Sequence, residues 1–215
     1  MTSAVSGGEE RPPAGGRFPA GTPLIVIGCS WGGLAALHAI LARLPADLPA
    51  ATAIVQHRMP DAEETLLGLL ARDAALPIRS PDDKEPIVAG VVYLAPPNYH
   101  LLVDRDHLAL STDAPVNYSR PSIDVLFESA ARTYGPDVIG VVLTGANADG
   151  AAGLAEIRRL GGRAIVQDPA TAEVAIMPQA ALDRAGADEV LPVEKIAGVL
   201  VRLCRTSGRV GRQAR

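Results

Sequence analysis

Aromatic side chains are scarce here: they make up 3% of the 215 residues, with one tryptophan and two phenylalanines. A core with so few rings must be filled by Ala, Val, Leu and Ile, which suits a parallel sheet covered by helices on both faces. Cysteine is nearly absent as well. Cys29 and Cys204 lie far apart, so the chain carries neither a disulfide framework nor a zinc-type spacing, and a reducing, cytoplasmic compartment is expected. No apolar run approaches the ~18 residues of a membrane span, and the N-terminus lacks the apolar core of a signal peptide. There is no basic excess either; a formal net charge of −4 argues against nucleic acid as the main partner. Histidine is limited to His38, His57, His100 and His107, and none follows residue 107. Any chemistry that needs an imidazole must find it in the first half of the chain.

What is present is a βα alternation. Strands are expected near 24–28, 52–56, 91–95, 138–144, 163–167 and 188–191, and helices near 32–44, 61–73, 122–134, 151–160, 178–185 and 193–204. Residues 101–110 read as a small antiparallel hairpin with a polar turn. The pattern predicts an α/β fold: a doubly wound, mostly parallel sheet with helices on both faces. A flexible N-terminal tail is expected over 1–21, a single domain over 22–204, and a basic C-terminal tail over 205–215.

In such a sheet the site lies beyond the carboxyl ends of the strands. The segment Gly28-Cys29-Ser30-Trp31-Gly32-Gly33 follows an apolar run and precedes an Ala/Leu-rich one, so it reads as strand, tight turn, helix. A serine at such a turn is lifted out of the sheet, and the helix start after it offers free N–H groups to an oxyanion. A base is found by elimination. His38 follows Ser30 by eight residues, about 12 Å along a helix, which is too far. His107 belongs to the hairpin turn. His57 ends the run Ala53-Ile54-Val55-Gln56, one βα unit after the serine, and is the favoured base; His100 is the runner-up. For the acid, Asp149 closes a glycine-rich loop after Val138-Ile139-Gly140-Val141-Val142-Leu143, the most apolar and so the expected central strand. Asp149 could equally serve as the N-cap of the helix that follows. Asp168 is its competitor. Asp149 is favoured, and Ser30 Oγ is expected ~3 Å from a His57 ring nitrogen, or somewhat further without substrate. The order Ser, His, Asp departs from the α/β-hydrolases, where the histidine comes last.

Six segments in register resemble the catalytic domain of the CheB family of chemotaxis-type protein-glutamate methylesterases, over roughly residues 24–200. They are Ile27 to Gly33, Gln56-His57-Arg58-Met59-Pro60, Ala95 to His100, Arg120 to Phe127, Leu143-Thr144-Gly145 with Asp149 to Gly153, and Met177-Pro178. The resemblance implies a serine hydrolase that removes methyl esters from glutamate side chains of chemoreceptor signalling helices, and that also deamidates receptor glutamines. It implies Ser30 as nucleophile, His57 as base and Asp149 as orienting acid, with no metal and no cofactor. It places an oxyanion donor at Ala146, where the family usually has methionine, and puts Trp31 and Gly32 at the cleft. Arg58, Arg120 and His100 become candidate substrate contacts. Trp31 serves as a substrate platform, packs on the helix, or narrows access. The implied partner is a methyl-accepting chemoreceptor signalling domain, with neither nucleic acid nor membrane insertion. Only about 22 residues precede the first strand, too few for the family's receiver domain, so control by a separate receiver protein, or none, is expected. The competing reading is a catalytically silent receptor- or signalling-binding module of the same fold.

Overall fold

A computed structural model describes residues 18–57 and 65–213, the side chains of 65 and 207–213 excepted. Its main sheet has seven parallel strands in the order β10-β9-β8-β1-β2-β5-β3. These are β1 (Leu24–Cys29), β2 (Ala51–Gln56), β3 (Ile78–Arg79), β5 (Val92–Leu94), β8 (Val138–Val142), β9 (Arg163–Gln167) and β10 (Glu189–Leu191). A second sheet, β4 (Glu85–Pro86), β7 (His107–Ser111) and β6 (His100–Asp104), is antiparallel and contains the expected hairpin.

The strand β1 shows why the residues choose this architecture. All six of its residues are buried, as they must be in a strand covered on both faces. Its two-residue period divides them between the two cores. Leu24 and Val26 join Phe127, Leu154 and Ala181, on the face covered by α3 (Ile123–Tyr134), α4 (Ala151–Arg159) and α5 (Ile176–Ala185). Ile25, Ile27 and Cys29 join Leu37, Leu70 and Leu200, on the face covered by α1 (Gly33–Leu41), α2 (Thr65–Ala71) and α6 (Val193–Gln213). The middle strand is therefore β1; β8, expected there for its apolarity, lies beside it.

The ends differ from the sequence reading. Phe18, inside the expected tail, is buried and meets the Tyr134 ring edge-on at 5.4 Å between centroids. The helix α6 continues to Gln213, through most of the expected basic tail. No helix among the described residues is long and apolar enough to cross a membrane.

One close approach links the fold to the site. α3 crosses β1 so tightly that a Cβ on Gly28 would lie 2.2 Å from Ile123 Cγ2. Glycine at 28 is thus what lets the N-terminus of α3 reach the carboxyl end of the sheet.

Candidate active site

Strands β1 and β2 are paired in parallel with Cys29 opposite Gln56. Ser30 and His57 therefore each take the first position beyond the paired strands, side by side at the carboxyl end of the sheet. The His57 N–H donates to Cys29 O (3.0 Å) and the Ser30 N–H to Thr144 O (3.0 Å), which ties the turn to both neighbouring strands. Gln56 reinforces it: Nε2 donates to Ser30 O (2.9 Å), while Oε1 faces the Cys29 thiol at 3.1 Å. Cys29 is fully buried, and burial pushes its thiol far above the ordinary value, so it packs as a small hydrophobe. Gly32, at φ +77°, supplies the left-handed residue that starts α1.

Asp149 does cap a helix, but not the one that follows it. The N-cap of α4 is Gly150, without any side-chain cap. The Asp149 carboxylate sits instead at the N-terminus of α3. There it accepts the N–H groups of Ile123 (2.6 Å) and Asp124 (3.2 Å), the Ser122 hydroxyl (2.9 Å) and the Asn117 amide (3.0 Å). A fifth donor is His57, whose Nε2 lies 2.8 Å from Asp149 Oδ2. Burial acts to raise this carboxyl. The hydrogen bonds from His57, Asn117 and the Ile123 N–H outweigh it and hold the group below the usual carboxylate range. Its neighbour Asp124 moves the other way. Burial raises it, the charge of Asp149 adds to the rise, and the Gly153 and Asn117 donors offset only part. Asn117 bridges the two carboxylates, 2.8 Å from Asp124 and 3.0 Å from Asp149.

Because Nε2 is engaged, Nδ1 is the nitrogen of His57 left open to the cleft. Ser30 Oγ and His57 form no direct hydrogen bond, which matches the longer separation expected without substrate. Nδ1 faces the Asn147 amide at 3.4 Å, at the long end of hydrogen bonding, and Ser30 Oγ has no partner among the described residues. Asn147 stands on the acid loop, so the loop that delivers Asp149 to one nitrogen also sets a side chain against the other.

The other expected site residues separate. Ala146 is exposed, and its N–H and that of Trp31 have no acceptor among the described residues, leaving both available to an oxyanion. His100 is 2% exposed and cannot touch substrate. Its Nε2 donates to Ala114 O (3.1 Å) and its Nδ1 accepts the Ser122 N–H (3.2 Å), so it braces the residue that braces Asp149. Arg120 donates to Thr112 O (2.8 Å) and Asp113 O (3.1 Å); it pins its own loop and does not line the cleft. Arg58 lies outside the described residues. Asp168, the rival acid, caps a local 3-10 turn through Ala170 N–H (3.0 Å). Trp31 is 68% exposed, so it does not pack on the helix.

Ser30, Trp31, Gly32, Gln56, His57 and Asn147 line one cleft of about 990 Å³ that continues between α1 and α2. It holds a hydroxyl at a strand-end turn, an imidazole oriented by a buried carboxylate and unpaired backbone N–H groups. Those are the parts of acyl transfer to a serine. No cluster of His, Cys, Asp or Glu among the described residues could hold a metal ion.

Comparison with known proteins decides the family. The CheB methylesterase family model matches residues 25–200. The chain belongs to the CheB methylesterase family. A relative from Leptospira interrogans, provisionally named a protein-glutamate methylesterase/protein-glutamine glutaminase, is 47% identical over 180 residues, covering 83% of this chain and 93% of its own. A Symbiobacterium thermophilum protein of that name is 41% identical over 200 residues, and there this chain spans 55% of the relative's length. Among solved structures, the CheB methylesterase catalytic domain of Thermotoga maritima superposes with a TM-score of 0.82 at 33% identity, covering 84% of this chain and 98% of that one. The CheB match contains all of the strand-end positions described above.

Sequence reasoning placed Gln56 and Thr144 in the segments of the site without giving them a role, and missed Asn117. Gln56 had a signal, since it is the last residue of the strand that delivers His57. Asn117 had none, because its role depends on where a distant turn folds back.

Proposed function

We propose that this protein is a serine esterase that removes the methyl group from glutamate γ-methyl esters of chemoreceptor signalling domains, releasing methanol. The observation that carries the reading is the pair of buried Asp149 and part-buried His57, 2.8 Å apart, with His57 beside Ser30 in one cleft. The names of the relatives supply the ester and the glutamate; the cleft supplies groups suited to the reaction.

Ser30 Oγ attacks the ester carbonyl while His57 Nδ1 takes its proton. The tetrahedral oxyanion is met by the N–H groups of Trp31 and Ala146, each such donor being worth about 3–4 kcal/mol in comparable hydrolases. His57 returns the proton to methoxide, which leaves as methanol. Water, deprotonated by the same nitrogen, then hydrolyses the acyl-enzyme to glutamate and free Ser30. Asp149 holds the ring by Nε2–H and balances the imidazolium charge in both halves. Asn147 must yield Nδ1 to Ser30 as substrate enters. A glutamine side chain presents the same carbonyl with ammonia as leaving group, so deamidation uses the same steps.

The test is mass spectrometry of a methylated receptor signalling fragment. Wild-type protein is expected to convert glutamyl methyl esters to glutamates, and Ser30→Ala to leave them intact. Full binding of the fragment with no change in ester content by wild type would favour the silent-module reading.

A further inference from the structure

Trp31, the only tryptophan, is the most exposed large hydrophobic side chain of the cleft wall and yet is held in place. Its indole Nε1–H donates to Glu173 Oε1 at 3.1 Å. Glu173 comes from the loop before α5, far away in sequence, and lies across Gly32, where a Cβ would meet its Oε2 at 2.7 Å. Positive φ alone explains glycine at 32; the carboxylate laid over it is a second demand. The loop is itself stitched to the nucleophile turn through one side chain. Thr144 Oγ1 donates to Trp31 O (2.9 Å) and accepts the Val174 N–H (2.9 Å), and the Gly145 N–H donates to Val174 O (3.1 Å). Trp31 is thus held at its carbonyl and its indole, and Glu173 at its carboxylate beside the anchored Val174.

The cleft extends past Ser30 along α1 and α2, where Leu34 and Leu69 line it with their side chains partly exposed. Its 990 Å³ is the size of a site for a drug-sized molecule, far more than one glutamyl methyl ester fills. An exposed indole with two aliphatic side chains farther along suits the apolar stems of residues flanking the ester, since large rigid aromatics carry disproportionate binding energy.

We propose that Trp31 is a specificity-determining residue that grips the polypeptide flanking the reacting ester, and that Glu173 is the positioning residue that holds the indole for this contact. The proposal rests on the esterase reading above. Ester-bearing polypeptide gains from the grip, whereas a small free ester, too short to reach Leu34 and Leu69, gains little.

The test compares kcat/KM on a methylated receptor fragment with kcat/KM on p-nitrophenyl acetate, for the full chain. Trp31→Ala is expected to lose roughly tenfold or more on the fragment relative to its loss on the small ester, chiefly through KM. Glu173→Ala should follow in the same direction, while Glu173→Gln, which keeps an acceptor oxygen, should stay near wild type. The sole tryptophan also reports directly: in the Ser30→Ala background, the fragment should shift Trp31 emission to the blue. Equal losses on both substrates, or no emission change at fragment concentrations that saturate wild-type turnover, would overturn the clamp alone. Wild-type hydrolysis of p-nitrophenyl acetate with no methanol from the fragment would overturn the substrate assignment and the clamp with it.

Discussion

The Nε2–H of His57 donates to Asp149 Oδ2 across 2.8 Å, so Nδ1 is the nitrogen that, in the proposed reaction, takes the proton of Ser30. In the chymotrypsin arrangement the two nitrogens have the opposite duties. The tautomer follows from the loop: Asp149 is delivered at the N-terminus of α3, and His57, leaving β2, presents Nε2 to it.

That assignment is open to 15N NMR. Neutral His57 should show a protonated Nε2 and a bare Nδ1. Asp149→Asn should lose this preference and lower kcat on the order of 10³–10⁴-fold, with the fold retained. A protonated Nδ1 in the neutral wild-type protein would contradict the orientation.

Acid stability should carry the signature of Asp149. Its folded carboxyl lies below the ordinary value, so the stabilisation is full above about pH 4 and is lost as pH falls through the folded value. In urea unfolding, the stability gap between wild type and Asp149→Asn should therefore narrow as pH falls from 7 towards 3. Asp124 has the opposite sign: its raised carboxyl favours the folded state while protonated, and that contribution is lost as pH rises through the ordinary value to the folded one. Asp124→Asn should remove that loss, so its stability relative to wild type should improve with rising pH. A gap for Asp149→Asn that does not change with pH would contradict the donor network.

Ser122→Ala removes one hydroxyl donor from the buried Asp149 carboxylate. A hydrogen bond to a charged group contributes about 1.5–3 kcal/mol. The variant should lose stability in that range at neutral pH and begin acid unfolding at higher pH than wild type. An unchanged acid limb would show that the other donors suffice.

Gly28→Ala should destabilise the fold by about 1–3 kcal/mol, because the new methyl would meet Ile123 Cγ2 and push α3 off the sheet. Thermal unfolding measures this. Adding Ile123→Ala should recover part of the loss, a coupling expected only of residues in contact. Simple additivity of the two would contradict the close approach.

Much of this was legible in the chain because it depends on local order. Strand-end positions follow from the apolar runs, and they placed Ser30, His57 and Asp149 at one end of the sheet. The two-residue strands β3 and β4 carried no period to read. His100 and Arg120 sit in segments shared with the family, yet their side chains turn to support the loop around Asp149, which only the packing of α3 reveals. Glu173 and Asn117 reach the site from loops whose path is set by tertiary contacts, so no spacing announces them. β8 is an interior strand, nearer the middle than β9, as its apolarity suggested; composition could not separate it from β1, because interior strands of a parallel sheet are all nearly equally apolar.

The measurement that tests the central claim most directly is methanol release from a methylated receptor signalling fragment by wild type, Ser30→Ala and His57→Ala side by side. Sustained release by wild type, with both variants lower by about 10³-fold or more, is the predicted result. Release by Ser30→Ala at the wild-type rate would contradict the account.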